Sequence, residues 1–234
     1  MEKPYYIFWE RVVRKMMWLK EKIIFAKQIQ VLKYIYLNYF SKKIVRKGSG
    51  KIIPYKNAII DLEDNSKIYI GNRDIEIGFN KLKGSKAETY LRLRSGALWS
   101  AEGGAQISFG STIEILQNAS VKSGYFTMSS FGTIIAQKSI VLGDDVMMAR
   151  NVIIFDSDFH YFEYLQKTNE GAQEVAIGNH VWLTANVTVL KGVKIGDGSI
   201  IAAGTVVTED VGKAVLVGNE KKMTVLSDSV IWKR

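Results

Sequence analysis

The sequence contains no cysteine, and only two prolines and two histidines occur among its 234 residues. Without cysteine, neither a disulfide framework nor a thiolate metal site can form. No run in the aromatic N-terminal part approaches the roughly 18 apolar residues of a membrane-spanning helix, because charges interrupt it. The first eleven residues also lack the apolar core and small-residue cleavage site of a secretory signal, so we expect a cytoplasmic protein.

Positive charge is concentrated at one end of the chain. Residues 1–56 contain 14 Lys or Arg against 3 acidic residues, a balance of +11. Residues 57–234 contain the other 18 basic and 20 acidic residues, a balance of −2, which together give the net charge of +9. A nucleic-acid-binding core would have its basic residues on the main fold, so we expect no nucleic acid partner. A basic arm suits contact with acidic lipid or an anionic polymer.

The basic, aromatic-rich region 1–50 is predicted to be helical. Apolar residues such as Trp18, Ile23 and Val31 recur between residues 4 and 47 at spacings near three and four. Two interpretations are open: these helices pack on the main fold or a neighbouring subunit, or residues 1–47 contact the inner membrane face peripherally. The glycine-rich segment 47–50 is predicted to be a hinge to the rest of the chain.

A six-residue period begins to dominate after residue 51. Between residues 177 and 212, six consecutive blocks of six begin with an aliphatic residue, and the fifth position of each is small or β-branched. The six first positions are Ile177, Leu183, Val189, Ile195, Ile201 and Val207. This period matches neither an α-helix nor a simple strand alternation; it describes a short strand, a corner and the next strand.

Three such sides make a coil of 18 residues whose aliphatic side chains stack inside, about 4.8 Å apart. A weaker register reaches back to Ile68, which predicts seven or eight coils. The predicted fold is therefore mainly β: a parallel β-helix over residues 51–216, with an N-terminal α-helical segment. Residues 217–234 are predicted to form a C-terminal tail or cap.

One long interruption breaks this period. Ile154 and Ile177 are 23 residues apart instead of 6, which predicts an active-site loop over residues 155–176. His160 lies in this loop after Asp156 and Asp158. A neutral imidazole that accepts a hydroxyl proton while a carboxylate fixes its orientation is a general base. The spacing does not choose which aspartate orients His160.

The segments Asp156-Ser-Asp-Phe-His160 and Ile177-Gly-Asn-His-Val-Trp182-Leu resemble the hexapeptide-repeat O-acetyltransferases. The resemblance covers about residues 57–234 and points to enzymes of bacterial capsule and O-antigen polysaccharides, with galactoside and maltose acetyltransferases more distant. It implies a left-handed β-helix and a homotrimer with active sites between prisms. It also implies direct transfer of acetyl from acetyl-CoA to a carbohydrate hydroxyl, without a metal.

The resemblance implies roles for individual residues. His160 is the expected base, and Phe159, Tyr161 and Trp182 are expected to contact the acceptor. The expected acetyl-CoA contacts are Trp182 near the thioester, the backbone at Ala185, Ala203 and Gly204 along the pantetheine arm, and Lys222 at the phosphates. The other histidine, His180, is interpreted as a surface or interface residue.

This interpretation has three alternatives. An N-acetyltransferase of the same fold, acting on a nucleotide sugar or another small amine, uses the same base and donor site. A non-catalytic scaffold would keep the prism, but the intact segment ending in His160 argues against it. A zinc hydratase on this solenoid needs three histidine ligands, so two histidines exclude it.

Overall fold

The computed structural model describes residues 14, 17, 20, 23–160, 163, 164, 167, 168 and 171–219. Residues 23–28 are helical, followed by a short helix α1 (Val31–Ile35) and a π-helical turn (Tyr36–Phe40). The predicted helical region therefore ends at Phe40. Among the described residues, no helix is long and apolar enough to cross a bilayer.

The rest of the chain is built from short strands that visit three parallel sheets in rotation. The first sheet contains β1 (Ile44–Arg46), β4 (Lys67–Ile70), β7 (Leu98–Ala101), β10 (Ser120–Ser123), β13 (Ser139–Leu142), β18 (Val175–Ile177) and β21 (Lys194–Ile195). The second contains β2 (Ile52–Pro54), β5 (Ile75–Phe79), β8 (Ala105–Ser108), β11 (Phe126–Met128), β14 (Val146–Met148), β19 (Trp182–Leu183), β22 (Ile200–Ile201) and β24 (Leu216–Val217). The third contains β3 (Ala58–Leu62), β6 (Thr89–Leu93), β9 (Thr112–Ile115), β12 (Thr133–Ala136), β15 (Ile153–Phe155), β20 (Thr188–Val189) and β23 (Val206–Val207).

This rotation gives a three-sided prism of seven complete coils and part of an eighth, which confirms the predicted left-handed parallel β-helix. Its three edges are named here by the sheets that meet there: the first–second, second–third and third–first edges. Two strands, β16 (Glu163–Tyr164) and β17 (Lys167–Thr168), form a separate antiparallel hairpin outside the prism.

The aliphatic columns form the core, as the six-residue period predicts. In the third sheet, Ile154, Val189 and Val207 are partners in adjacent strands and are 0–4% exposed. In the earlier coils the same interior is filled by larger side chains. Trp99 is fully buried, its Nε1 donates a hydrogen bond to Ser123 Oγ at 3.1 Å, and its ring packs against Phe126.

The β-helix begins before the predicted boundary at residue 51. Ile44–Arg46 is already a strand of the first sheet, because its β-branched residues pair with β4. The prediction of a hinge at residues 47–50 is wrong, since this segment is a tightly packed corner. A Cβ at Gly48 would lie 2.4 Å from Asn72 Oδ1, and one at Gly50 would lie 2.3 Å from the carbonyl oxygen of Arg73. These glycines permit close approach of successive coils.

The described part of the N-terminal region packs on the open end of the prism. Ile29 forms an antiparallel bridge with Tyr55. The buried Asn38 side chain accepts a hydrogen bond from Ile52 N at 2.9 Å and donates one to Ile52 O at 2.7 Å. Asn38 thus pairs the exposed backbone of β2, which protects an edge strand.

Two excursions leave the prism in the part of the chain that the structure describes. The first, residues 80–88, joins β5 to β6 at the second–third edge and was not predicted. The second, residues 156–174, joins β15 to β18 at the third–first edge and falls within the predicted loop. The shorter excursion escaped prediction because the repeat is weak in the early coils, so extra residues there interrupt no strict register.

Candidate functional site

The excursion at the third–first edge forms a projecting arm, defined as residues 156–174. An antiparallel bridge joins Ser157 to Ala172 at its base, and the β16–β17 hairpin lies farther along it. Ser157 Oγ donates to the carbonyl oxygen of Gly171 at 2.8 Å and accepts from Phe159 N at 2.8 Å. The arm is therefore held by its own backbone pairing.

Asp156 anchors the arm to the prism. Its carboxylate is fully buried and accepts hydrogen bonds from the backbone N–H groups of three consecutive residues. The donors are Gln137 N at 2.7 Å, Lys138 N at 2.8 Å and Ser139 N at 2.7 Å. Both oxygens are engaged with a corner of the coil below, so the geometry gives this carboxylate a structural role. The second predicted aspartate is then the better candidate to orient the imidazole.

Asp158 lies on the solvent side of the arm. Its backbone N–H donates to the Gly171 carbonyl at 2.9 Å, and its Oδ2 is 2.5 Å from Lys191 Nζ. Lys191 belongs to the next corner of the same edge, so this ion pair braces the arm against the following coil. The Asp158 side chain is 40% exposed and remains within two residues of the predicted base.

His160 is exposed on the arm, beside Phe159. Phe159 has a left-handed backbone, with φ of 62°, and its ring packs edge-on against Phe155 at 5.4 Å. This turn sets the direction in which the chain presents His160. Tyr161 and Lys222, also predicted as site residues, lie outside the described residues.

Trp182 lies on the outer face of the second sheet. Its indole is 42% exposed between Met147 of the strand below and Ile200 of the strand above. A shallow groove of about 190 Å³ runs beside it. The exposed ring thus offers a flat apolar surface to a ligand.

The other histidine has a partner that sequence spacing did not reveal. His180 Nδ1 is 2.6 Å from Asp145 Oδ2, and both side chains are largely exposed at the first–second edge. The two residues are 35 positions apart and meet because successive coils stack there. Their exposure agrees with the interpretation of His180 as a surface residue.

Two backbone N–H groups at the second–third edge of the late coils have no partner among the residues that the structure describes. Ala185 and Ala203 occupy equivalent corners one coil apart, and the Gly204 N–H donates to the Ala185 carbonyl at 2.9 Å. Within the described part of the chain, the N–H groups of Ala185 and Ala203 donate no hydrogen bond. Ala203 is exposed and Ala185 is partly exposed, so these donors are open to a ligand. We call this pair the amide edge.

One chain brings some of the predicted residues together and separates others. Trp182 and the amide edge are neighbours, because β19 runs directly into the corner that contains Ala185. His160 is on the arm at the third–first edge. In a triangular prism that edge lies opposite the second sheet, so the prism separates His160 from Trp182.

Comparison with known proteins identifies the repeat. Residues 174–209 match the family model described as Bacterial transferase hexapeptide (six repeats). The galactoside O-acetyltransferase of Escherichia coli is 34% identical over 105 residues, which are 44% of this chain and 48% of that protein. The polysialic acid O-acetyltransferase of Neisseria meningitidis is 29% identical over 136 residues, 55% of this chain and 57% of that protein. The chain thus spans about half the length of these relatives.

A solved structure of a polysialic acid O-acetyltransferase aligns with 78% of this chain and 94% of its own, at 21% identity and a TM-score of 0.49. The sequence match falls on the coils that contain Trp182 and the amide edge. Six aliphatic first positions, all buried, show that the same repeat builds the core there. Residues 174–209 therefore carry the hexapeptide repeat of bacterial transferases, and the earlier coils continue the same three-sided architecture.

Proposed function

We propose that this protein transfers an acetyl group from acetyl-CoA to a hydroxyl group of a sugar. The observation that supports this most directly is the amide edge: two N–H groups that donate to no described residue stand one coil apart beside an exposed tryptophan. The pantetheine arm of acetyl-CoA has amide carbonyls that such donors bind, and the cosubstrate supplies an activated thioester. Ala185, Ala203, Gly204 and Trp182 would hold it, with Lys222 at its phosphates.

His160 is the proposed general base. Its neutral imidazole accepts the proton of the acceptor hydroxyl while the hydroxyl oxygen bonds to the thioester carbonyl carbon. As the carbon–sulfur bond breaks, His160 returns the proton to the departing sulfur, which leaves an acetyl ester and free CoA. Asp158 orients the imidazole in this proposal. Phe159, Tyr161 and Trp182 contact the acceptor.

The complete site is proposed to form between copies of the chain in a homotrimer. His160 and Trp182 lie on opposite parts of one prism, so a second copy must present its arm to the amide edge of the first. A heterologous interface of this kind closes into a ring when the rotation is threefold. The expected assembly therefore contains sites that each use two chains.

Mixing two inactive variants tests the shared site. His160→Ala removes the base, whereas Ala203→Trp covers the amide edge at a position that is exposed in the single chain. Random reassembly of equal amounts should restore roughly a quarter of wild-type activity, because one site in four receives an intact half from each chain. Light scattering gives the mass of each assembly. No restored activity from correctly sized mixed trimers would contradict the shared site.

The acceptor class is proposed from the relatives, which are named for O-acetylation of a galactoside and of polysialic acid. The experiment is incubation of the protein with acetyl-CoA and a panel of surface polysaccharides, their precursors and nucleotide sugars. Mass spectrometry should show a gain of one acetyl group on a saccharide. Mild alkali should remove that group as an ester, whereas survival of an amide would favour the N-acetyltransferase alternative.

We place this reaction in the cytoplasm. Peripheral membrane contact through residues 1–47 stays a prediction. Sedimentation with anionic vesicles, compared between the full chain and a chain lacking residues 1–22, measures it without touching the packed segment around Asn38.

A further inference from the structure

A second concave site lies far from the arm, at the second–third edge near the open end of the prism. It is a cavity of about 650 Å³ between the 80–88 excursion and the N-terminal segment. This volume is within the roughly 300–1,000 Å³ of small-molecule and cofactor sites. We call it the basic groove, and its charged lining consists of Lys27, Lys56, Lys81 and Lys83.

The positive charge of the basic groove has no acidic counterpart among the described side chains that line it. Among the described residues, none of its four lysines forms a salt bridge, and no Asp or Glu lines the cavity. Four like charges around one cavity repel one another and create a positive potential that attracts an anion. An anionic ligand would relieve that repulsion.

Two aromatic rings form the bottom of the basic groove. Tyr55 and Phe79 pack edge to face with centroids 5.8 Å apart. The Tyr55 hydroxyl donates to Glu76 Oε2 at 2.8 Å, and burial, with this hydrogen bond, raises the pKa of the phenol well above its usual value. Tyr55 therefore stays neutral, and the charged side chains among the groove's described lining residues are all lysines.

The same prism edge continues as an aromatic and basic track toward the amide edge. Phe109 and Phe131 occupy the next two corners, with ring centroids 5.6 Å apart, and Phe131 is 49% exposed. Arg150 is exposed at the corner after that. From the excursion to Arg150 the edge rises by three coils, or about 14 Å at the parallel strand spacing. A polymer can follow such a line, whereas a single sugar cannot.

We propose that this edge binds an acidic polysaccharide chain. Carboxylates of the chain lie on the lysines of the basic groove, a sugar ring stacks on Phe131, and the chain continues past Arg150 toward the amide edge. A concave cavity followed by a narrow track suits a flexible polymer better than a flat bilayer surface. That this polymer is also the acceptor rests on the proposed acetyl transfer, but its binding does not.

Binding of the full chain to polysialic acid and hyaluronan, with dextran as the neutral polymer, tests the proposal by biolayer interferometry. We expect binding to at least one acidic polymer that weakens as salt rises, and none to dextran. The triple variant Lys56→Ala/Lys81→Ala/Lys83→Ala should bind about tenfold more weakly. The matched control, Lys42→Ala/Lys86→Ala/Lys122→Ala, removes the same charge at exposed positions that do not line the groove and should stay within about twofold.

Phe131→Asn tests the aromatic part of the track separately. Asparagine tolerates the left-handed backbone found there, φ 65°, so the ring is removed without new strain. We expect a several-fold loss of polymer binding with only a small fall in melting temperature, since the half-exposed ring also packs on Phe109. If the triple lysine variant melts early, Lys83→Ala alone on the exposed loop serves as the second variant and should bind more weakly than Lys86→Ala.

The outcomes separate this proposal from the proposed function. Wild-type protein that binds neither acidic polymer, or that binds only anionic vesicles, overturns the polysaccharide track. Equal losses in the groove and control variants overturn it too. Polymer binding that survives in a protein without acetyl-CoA binding supports the track and refutes only the transferase. In an active protein, the groove variant should raise KM for polymer with kcat unchanged.

Discussion

The early and late coils of the same prism differ in the length of their strands and in the size of the side chains that fill the interior. In the late coils, from Val175 onward, the strands have two or three residues and the buried apolar side chains are all Val, Ile or Leu. In the early coils the strands have three to five residues, and Trp99 and Phe126 fill the interior. The early coils also contain the 80–88 excursion, whereas the late coils follow the strict period.

This difference separates two kinds of surface. A strict repeat places identical backbone groups above one another, so the late coils offer the stacked N–H groups of Ala185 and Ala203. Such donors bind a ligand that has amide carbonyl groups, and this binding depends little on which side chains the coils have. Irregular coils instead present individual side chains, such as Lys83 and Phe131, that occur once on an edge and are not repeated from coil to coil. The regular half therefore suits a common cosubstrate, and the irregular half suits a particular acceptor.

The largest expected effect distinguishes the two histidines. His160→Ala should lower acetyl transfer by about 10²–10⁴, because the general base is lost. His180→Ala is the comparison variant: its pair with Asp145 carries no proton in the proposed mechanism but lines the groove beside Trp182, so any loss should appear in KM and stay far below that of His160→Ala. Initial rates with acetyl-CoA and acceptor measure both. Activity of His160→Ala near that of wild type would remove the base assignment.

Core substitutions compare the packing of the two halves. Trp99→Ala should cost about 3–5 kcal/mol of unfolding free energy, since it leaves a large cavity and deprives Ser123 of its donor. Ile201→Ala in the late coils should cost about 2–5 kcal/mol and less than the tryptophan change. Urea unfolding followed by circular dichroism gives both values. A larger loss at Ile201 would mean that the strict coils dominate stability.

The two aspartates of the arm should differ in what they damage. Asp156→Asn should cost about 1.5–3 kcal/mol of stability, because a charged acceptor of three buried backbone donors becomes a neutral amide. Asp158→Asn should cost less than about 1 kcal/mol, since its pair with Lys191 is partly exposed. The second change should instead lower kcat. Thermal melts and initial rates on the same samples measure both effects. A larger loss of stability in Asp158→Asn and a larger loss of kcat in Asp156→Asn would exchange the roles of the two aspartates.

The smallest effect concerns acid stability of the late coils. The Asn179 backbone N–H, together with Lys213, holds the pKa of Asp197 below its ordinary value of 3.8. A carboxyl with a lowered folded pKa stabilises the protein above that value and loses this contribution as pH falls. Melting temperatures between pH 6 and 3 should therefore fall slightly more steeply for wild type than for Asp197→Asn. Parallel curves would show that this carboxylate contributes no pH dependence.

Much of the fold could be predicted because the core positions recur along the chain. The six first positions from Ile177 to Val207 are all buried, as their period predicts. The long excursion could also be predicted, because Ile154 and Ile177 are 23 residues apart in a register that otherwise repeats every six. The start of the prism at Ile44 and the 80–88 excursion did not follow, because the early coils replace a strict repeat with larger side chains and longer strands.

The sequence alone determined the prism, its interior columns and the position of His160 on an arm. The roles of Asp156 in holding a corner and of Asp145 as the partner of His180 became visible in the three-dimensional contacts. The tertiary structure also places lysines from residues 27, 56 and 81–83 around one groove. These contacts join residues 17 to 56 positions apart through coil stacking or excursions. A six-residue period predicts which residues are buried, but it does not predict which distant residues meet.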